Sequence, residues 1–240
     1  MKGLYVKIKF KESLLGSSPA DPDVYKKYIA TKAPDYEDDP RTREIEAVGL
    51  EKAIENAMTI FPRNSEGQPI LWPYQVKGFF KSAQKVINDN ASESITDPAT
   101  GKKKKTRGSA YLPNYKGRID TDIFIYSVSH TWRDENADPG IVLHLPEGAS
   151  LKNCQRPLRA ETMQGPRVAL ANSESAPAGT WCQFVVIDIS EKLIGNIRQW
   201  LEYGKFNGIG QWRNSGRGQF LVTELKEIED IDEIKAVPDV

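Results

Sequence analysis

The stretch Trp181-Cys182-Gln183-Phe184-Val185-Val186-Ile187-Asp188-Ile189-Ser190, with Leu193, Ile194, Ile197, Trp200, Leu201 and Gly204 behind it, decides the fold. Residues Trp181 to Ile189 form a nearly continuous apolar run that reads as a strand. Ser190 is a residue type that caps helices. The apolar positions that follow recur at helical spacing and give one buried stripe, which Gly204 ends. After a glycine-rich loop, Phe220 to Leu225 reads as a last strand. The order is strand, helix, loop, strand.

Working outward, the opening residues Leu4, Val6, Ile8 and Phe10 alternate with Tyr5, Lys7 and Lys9. That period of two predicts a strand with one buried face and one wet face that is basic and aromatic. From Pro73 to about Asn88, Val76, Phe79, Phe80, Ala83, Val86 and Ile87 share one helical face, and proline suits the first helical position. Joined to the C-terminal segment, these elements give a β-α-β…β-α-β order. The predicted fold is α+β: a ferredoxin-like or RNA-recognition-motif core, an antiparallel sheet with helices on one face, carrying long insertions. Residues 1–240 are read as one domain, because no composition break divides them.

The remaining segments are placed by local signals. Asp21-Pro22-Asp23 opens a helix through Tyr25, Tyr28 and Ile29. Thr42 caps a second helix with Ile45, Val48, Ile54 and Met58, and an acidic loop from Ala33 to Pro40 lies between. Residues 91–117 lack periodicity, hold the turn Asp97-Pro98-Ala99-Thr100-Gly101, and read as a basic insertion, a mobile loop or extended hairpin tip. Arg118 to Val128 predicts a strand and Ile141 to Leu145 a shorter one. Leu158 to Thr162 and Arg167 to Ala171 form a hairpin with Arg159 and Arg167 outward. Residues 227–240 form an acidic C-terminal tail.

Composition narrows the function. Lysine plus arginine and aspartate plus glutamate each number 33, so net charge is zero and cannot argue for a polyanion partner. Distribution can: the run Lys102-Lys103-Lys104-Lys105-Thr106-Arg107, with Lys116 and Arg118 beyond, holds no acid, whereas Asp35 to Asp39 and Glu224 to Asp232 are acidic. No apolar run approaches the ~18 residues of a membrane span, and the lysines near Met1 come too early for a signal peptide, so a cytoplasmic setting without membrane contact is expected. Cys154 and Cys182 lack any metal or redox spacing and are expected to be free thiols.

Two features carry chemistry. Between Asn207 and Phe220, Gly208, Gly210, Gly216 and Gly218 are interleaved with Trp212, Arg213 and Arg217. Glycines let a ligand approach backbone amides, arginines neutralise phosphate, and an indole stacks on a base. The alternative is a tight helix-to-strand connection with Trp212 plugging the core. The second feature, Ile70 to Phe80, places Lys77 and Gly78 near a helix N-terminus, where free amides favour an anion. An amphipathic helix with an incidental lysine is the alternative there. No cofactor motif, zinc site or phosphate loop is present.

The loop from Gly208 to Gly218, between the last helix and last strand, resembles the signature loop of the CRISPR-associated RAMP superfamily. The Pro73 helix entry is similar to that of its backbone subunits. The sequence overall also resembles proteins carried by bacteriophages and prophages of Gram-positive bacteria, which implies a bacterial or phage-infected cell. Trp212-Arg213-Asn214 is bulkier than that family's loop, and Tyr74-Gln75-Val76 replaces small and hydroxyl residues. The resemblance implies an RNA-recognition-motif core, RNA bound along a sheet face, and head-to-tail assembly into an oligomer or filament.

Three functions compete. The first is non-catalytic binding of single-stranded nucleic acid, RNA favoured, through Lys7, Lys9, Lys77, Lys103, Lys104, Arg159, Arg167 and the glycine-rich loop residues named above. The second is a phage structural protein, or an anti-defence protein that self-assembles or mimics a subunit of a host defence complex. The third is a metal-independent endoribonuclease with His130 or His144 as general base. Asp120 and Asp122, two apart on a predicted strand, are weak metal candidates, so no metal is expected.

Overall fold

The structure is a computed structural model that describes residues 1–20, 58–96, 103–128, 139–162 and 165–228. The two helices expected between Asp21 and Met58, the acidic loop between them, and nearly all of the acidic tail lie outside these residues, though Met58 itself is described. Four strands make the main sheet: β1 (Lys2–Phe10), β8 (Ile123–Ser127), β12 (Trp181–Asp188) and β13 (Phe220–Ile228). They run in the order β13-β1-β12-β8, with every neighbouring pair antiparallel. Two helices, α1 (Pro73–Asn90) and α3 (Ile194–Tyr203), connect β1 to β8 and β12 to β13.

The sequence periods explain the packing. Leu4, Val6, Ile8 and Phe10 of β1, Phe184 and Val186 of β12, and Phe220 of β13 share one core with Val76, Phe79, Phe80 and Ala83 of α1 and Ile197, Trp200 and Leu201 of α3. Each large apolar side chain fully buried there contributes about 1.5–3 kcal/mol. Phe79 meets Phe220 edge-on at 5.2 Å, and Phe80 lies 5.1 Å from Trp200. The polar atoms in this core are paired: Trp200 Nε1 donates to Gln84 Oε1 at 2.7 Å, and Gln84 Nε2 donates to Asn88 Oδ1 at 2.8 Å. Asn88 in turn exchanges two 2.9 Å hydrogen bonds with the Leu112 backbone, fixing the chain beyond the helix.

The other face of the sheet departs from expectation. Tyr5, Val128, Val185, Ile187 and Ile228 form a second buried cluster, so the face of β1 expected to be wet is covered at Tyr5. Lys7 is half-buried and Lys9 exposed.

A second sheet follows the order β10-β11-β4-β3, formed by β3 (Ser18–Pro19), β4 (Thr59–Ile60), β10 (Lys152–Thr162) and β11 (Gly165–Ala176), with β2 (Leu14–Leu15) pairing β11 as well. The β10–β11 hairpin is longer than the sequence suggested. Its register pairs Arg159 with Val168 and Ala160 with Arg167. Two small pairs complete the sheets: β5 (Ile70–Leu71) with β9 (Ile141–Val142), and β6 (Ser92–Thr96) with β7 (Lys103–Arg107). Of the two forms expected for 91–117, hairpin arms are present, and Lys103 and Lys104 stand on β7, paired with Thr96 and Ile95.

Three local readings are corrected. Residues Tyr115–Asp122 form a helix, α2, and the strand begins only at Ile123. Asp120 and Asp122 are therefore helical; Asp120 pairs with Lys81 at 2.5 Å and Asp122 with Arg118 at 3.6 Å. Helix α3 begins at Ile194 and is not capped by Ser190. The buried Asp188 carboxylate accepts from the Ser190 N–H at 3.0 Å and the Leu193 N–H at 2.6 Å, satisfying the turn that leads into the helix. Strand β13 extends through Ile228, so Glu227 belongs to the sheet, where it pairs with Arg198 at 2.5 Å, rather than to a tail.

Candidate nucleic-acid interface

The glycine-rich loop leaves α3 at Gly204, whose Cα lies so close to the Phe220 ring that a Cβ would come within 2.2 Å of it. The two ends of the loop then cross backbone on backbone. A Cβ on Gly208 would stand 2.1 Å from the Gly218 carbonyl carbon. At Gly218, φ is +70° and a Cβ would stand 2.0 Å from the Ile209 oxygen. These two glycines are demanded by the crossing itself, which Ile209 N–H to Gly218 O at 3.1 Å and Gly218 N–H to Ser13 O at 3.0 Å hold shut. Their role is therefore to pin the loop onto the turn between β1 and β2.

The middle of the loop is what this clamp presents. Trp212 adopts the left-handed conformation, φ +57°, and leads a single tight turn over Arg213–Ser215, with Gly216 closing it by donating its N–H to Arg213 O. The Trp212 indole is 36% exposed, so it does not plug the core. Arg217 faces inward in part: Nη1 donates to Ser13 Oγ, and its guanidinium lies 6.0 Å from the Trp212 ring centre. Arg213, Gly210 and Gln211 line an open groove of about 490 Å³.

The opposite wall of that groove is the first part of α1: Tyr74, Gln75 and Gly78, with Ser17 at one end. The entry to this helix is fixed by Gln75, whose Oε1 accepts the Trp72 N–H at 2.8 Å and whose Nε2 donates to Ser17 Oγ at 2.5 Å. Tyr74 is 66% exposed. A Cβ on Gly78 would touch nothing within 4 Å, so no packing against the protein requires glycine there. Both sequence features thus meet at one groove, whose volume falls in the ordinary range of ligand sites.

The other expected residues lie elsewhere. Lys77 leaves α1 on a different side: Nζ donates to Asp120 O at 3.2 Å and sits 5.1 Å from the Phe124 ring centre. Burial, partly offset by the Asp120 carboxylate and reinforced by Lys81, holds its ammonium below the ordinary lysine range. Lys7 rests 4.0 Å over the Trp181 ring, and His144 stacks on the same indole at 3.9 Å while its backbone pairs with Trp181 in both directions. His144 is a stacking residue away from the groove, and His130 lies outside the described residues. Lys103, Lys104, Arg159 and Arg167 lie on the two hairpins.

The sequence reading singled out neither Tyr74 nor Gln211 as a contact, and it missed a buried charge behind the groove altogether. Arg156 of β10 is only 7% exposed, donates from Nη2 to Gln211 Oε1 at 2.5 Å, and stands 5.2 Å from the Trp212 ring centre. Nothing around Gln155-Arg156-Pro157 marks it as buried, because its cover comes from a loop far along the chain. Cys154 and Cys182 are both free, as expected. Among the described residues no cluster of metal-ligating side chains occurs, and no helix is long and apolar enough to cross a membrane.

No family model and no curated protein matches this sequence. Among solved structures, the chain is similar to a chain of the Type III-B Cmr-beta complex bound to cognate target RNA, at 10% identity and a TM-score of 0.47. The match covers 95% of this chain but only 60% of that one. It is also similar to Cmr6 from Pyrococcus furiosus, at 10% identity and a TM-score of 0.43, covering 92% of this chain and 98% of the other.

Proposed function

We propose that this protein binds single-stranded nucleic acid, RNA in the first place, without cleaving it, and that the strand lies in the groove between α1 and the glycine-rich loop on a ferredoxin-like core. The observation that carries the reading is convergence. An exposed tyrosine, a helix glycine with open space above it, a backbone-clamped glycine loop and Arg213 come from two separate parts of the chain to one groove. Tyr74 supplies a stacking platform that tolerates any base, Arg213 meets the phosphates, and Gly78 leaves room for the backbone. Lys103 and Lys104 are a second, weaker contact in this reading. Cleavage is not part of the reading, since His144 is engaged with Trp181 and, among the described residues, no histidine or carboxylate lines the groove.

The test is fluorescence polarisation of a labelled single-stranded RNA 12-mer, with a DNA 12-mer beside it. Tyr74→Ala should weaken binding about tenfold, as loss of one base–aromatic stack does. Arg213→Ala should lower the slope of log affinity against log salt by about one. Wild-type affinity in the double variant would end the assignment. A defined oligomer that never retains nucleic acid would favour a self-assembling phage or anti-defence protein.

A further inference from the structure

Arg156 is a charge without an obvious purpose. Of its three guanidinium nitrogens only Nη2 has a partner, the neutral Gln211 carboxamide; Nε and Nη1 are buried with none. No carboxylate of the described residues pairs with it. A guanidinium cannot shed its proton to escape burial, as a lysine can, so the free protein holds an under-compensated cation beneath Trp212. An apolar side chain of similar length would serve the fold better. Gln211, its one hydrogen-bond partner, is also a wall of the groove, so the cation lies one side chain behind the surface a ligand would touch.

We propose that Arg156 is the anchor of a phosphate site, taking an oxyanion in place of the Gln211 oxygen. Resting on the reading above, the anion is one phosphodiester of the strand in the groove. Gln211 is then a neutral placeholder that swings aside. Trp212 covers the guanidinium at 5.2 Å and keeps the pair partly shielded from water, where a charge-assisted hydrogen bond is strongest. Arg217, 6.0 Å from the same indole and tied to Ser13, adds a second positive charge at the site.

The experiment compares the full chain with Arg156→Met and Gln211→Glu in two assays. The first is thermal unfolding in sodium phosphate against sodium chloride at matched pH and ionic strength. The second is polarisation of the RNA 12-mer. Wild type should melt higher in phosphate. Arg156→Met should lose that response, melt no lower than wild type in chloride, and bind RNA about tenfold more weakly. Gln211→Glu places a carboxylate where the phosphate oxygen would sit; it should raise the melting temperature in chloride and abolish both the phosphate response and RNA binding. A phosphate response and RNA affinity that survive in both variants would overturn the site while leaving nucleic-acid binding standing. A phosphate response that vanishes in both variants, with no form binding RNA, would keep the anion site and remove the nucleic-acid reading. A Gln211→Glu variant less stable than wild type in chloride would refute the under-compensated cation itself.

Discussion

Gly78 separates the demands of folding from those of binding. It lies inside α1, past the first turn, where glycine costs about 0.5–1 kcal/mol relative to alanine because it orders more backbone freedom and shields less. Elsewhere in this protein that cost is offset by contact: Gly208 and Gly218 tolerate no Cβ at all. At Gly78 a Cβ would meet no atom within 4 Å, and the space it would enter is the groove. Gly78→Ala should therefore stabilise the chain by about 0.5–1 kcal/mol, and at ~2–4 °C per kcal/mol for a chain of this size the melting temperature should rise by about 1–4 °C. Gly78→Leu should also fold, because the side chain has open room, yet it should fill the groove opposite Gly210 and Arg213 and weaken RNA binding at least tenfold. Urea unfolding and polarisation on the same preparations measure both. A destabilised Gly78→Ala would mean that something packs on this face of the helix. Full RNA affinity in a folded Gly78→Leu would mean that the strand runs elsewhere.

Three further outcomes follow from the core. Gln84→Leu leaves the Trp200 N–H buried without an acceptor and should cost about 1–3 kcal/mol; adding Trp200→Phe should cost less in that background than alone, a coupling a double-mutant cycle reads. Burial raises the Cys182 thiol far above its ordinary range, so under native conditions a maleimide should label Cys154 only, with Cys182 reacting after denaturation; native double labelling would contradict the core assignment. Lys77, facing Asp120 and Lys81, titrates below its ordinary 10.5 when folded, so the unfolded chain binds more protons between the lowered value and 10.5, and the stability it contributes rises with pH across that window. Lys77→Met should lack that rise, and a difference from wild type that stays flat from pH 8 to 10.5 would exclude it.

Elements with many buried residues at one period were legible in the sequence. Leu4, Val6, Ile8 and Phe10 announced β1, and Val76, Phe79, Phe80 and Ala83 announced α1, because each repeats one face against the core. Helix α2 buries only Ile119, too little to set a 3.6-residue period, and the β-branched run beginning at Ile123 drew the strand assignment back over it. Asp188 and Ser190 are both competent capping residues two positions apart. Only burial of Asp188 at the strand end shows which carboxyl or hydroxyl reaches the Leu193 amide. The covering of Tyr5 could not be read either, since alternation fixes which residues share a face and not what lies over it.

The candidate site shows where such reading stops. Trp212 and Arg213 were legible because glycines on either side advertise an unusual backbone, and the start of α1 because a helix N-terminus has its own chemistry, although Lys77, the residue it singled out, packs toward Asp120 and Tyr74 carried only a departure from the family pattern. Neither signal says that the two meet; that follows from β1 lying between β12 and β13, which sets α1 and α3 side by side and aims the loop after α3 at the start of α1. Arg156 carries no local signal whatever. An arginine in a hairpin strand ordinarily reaches water, and this one is buried because the loop folds Gln211 and Trp212 over it. A fold selected for stability alone would place an apolar residue beneath that indole. Retaining the cation there, one side chain behind a groove whose exposed wall is Tyr74, is intelligible when the anion that completes it arrives with the ligand.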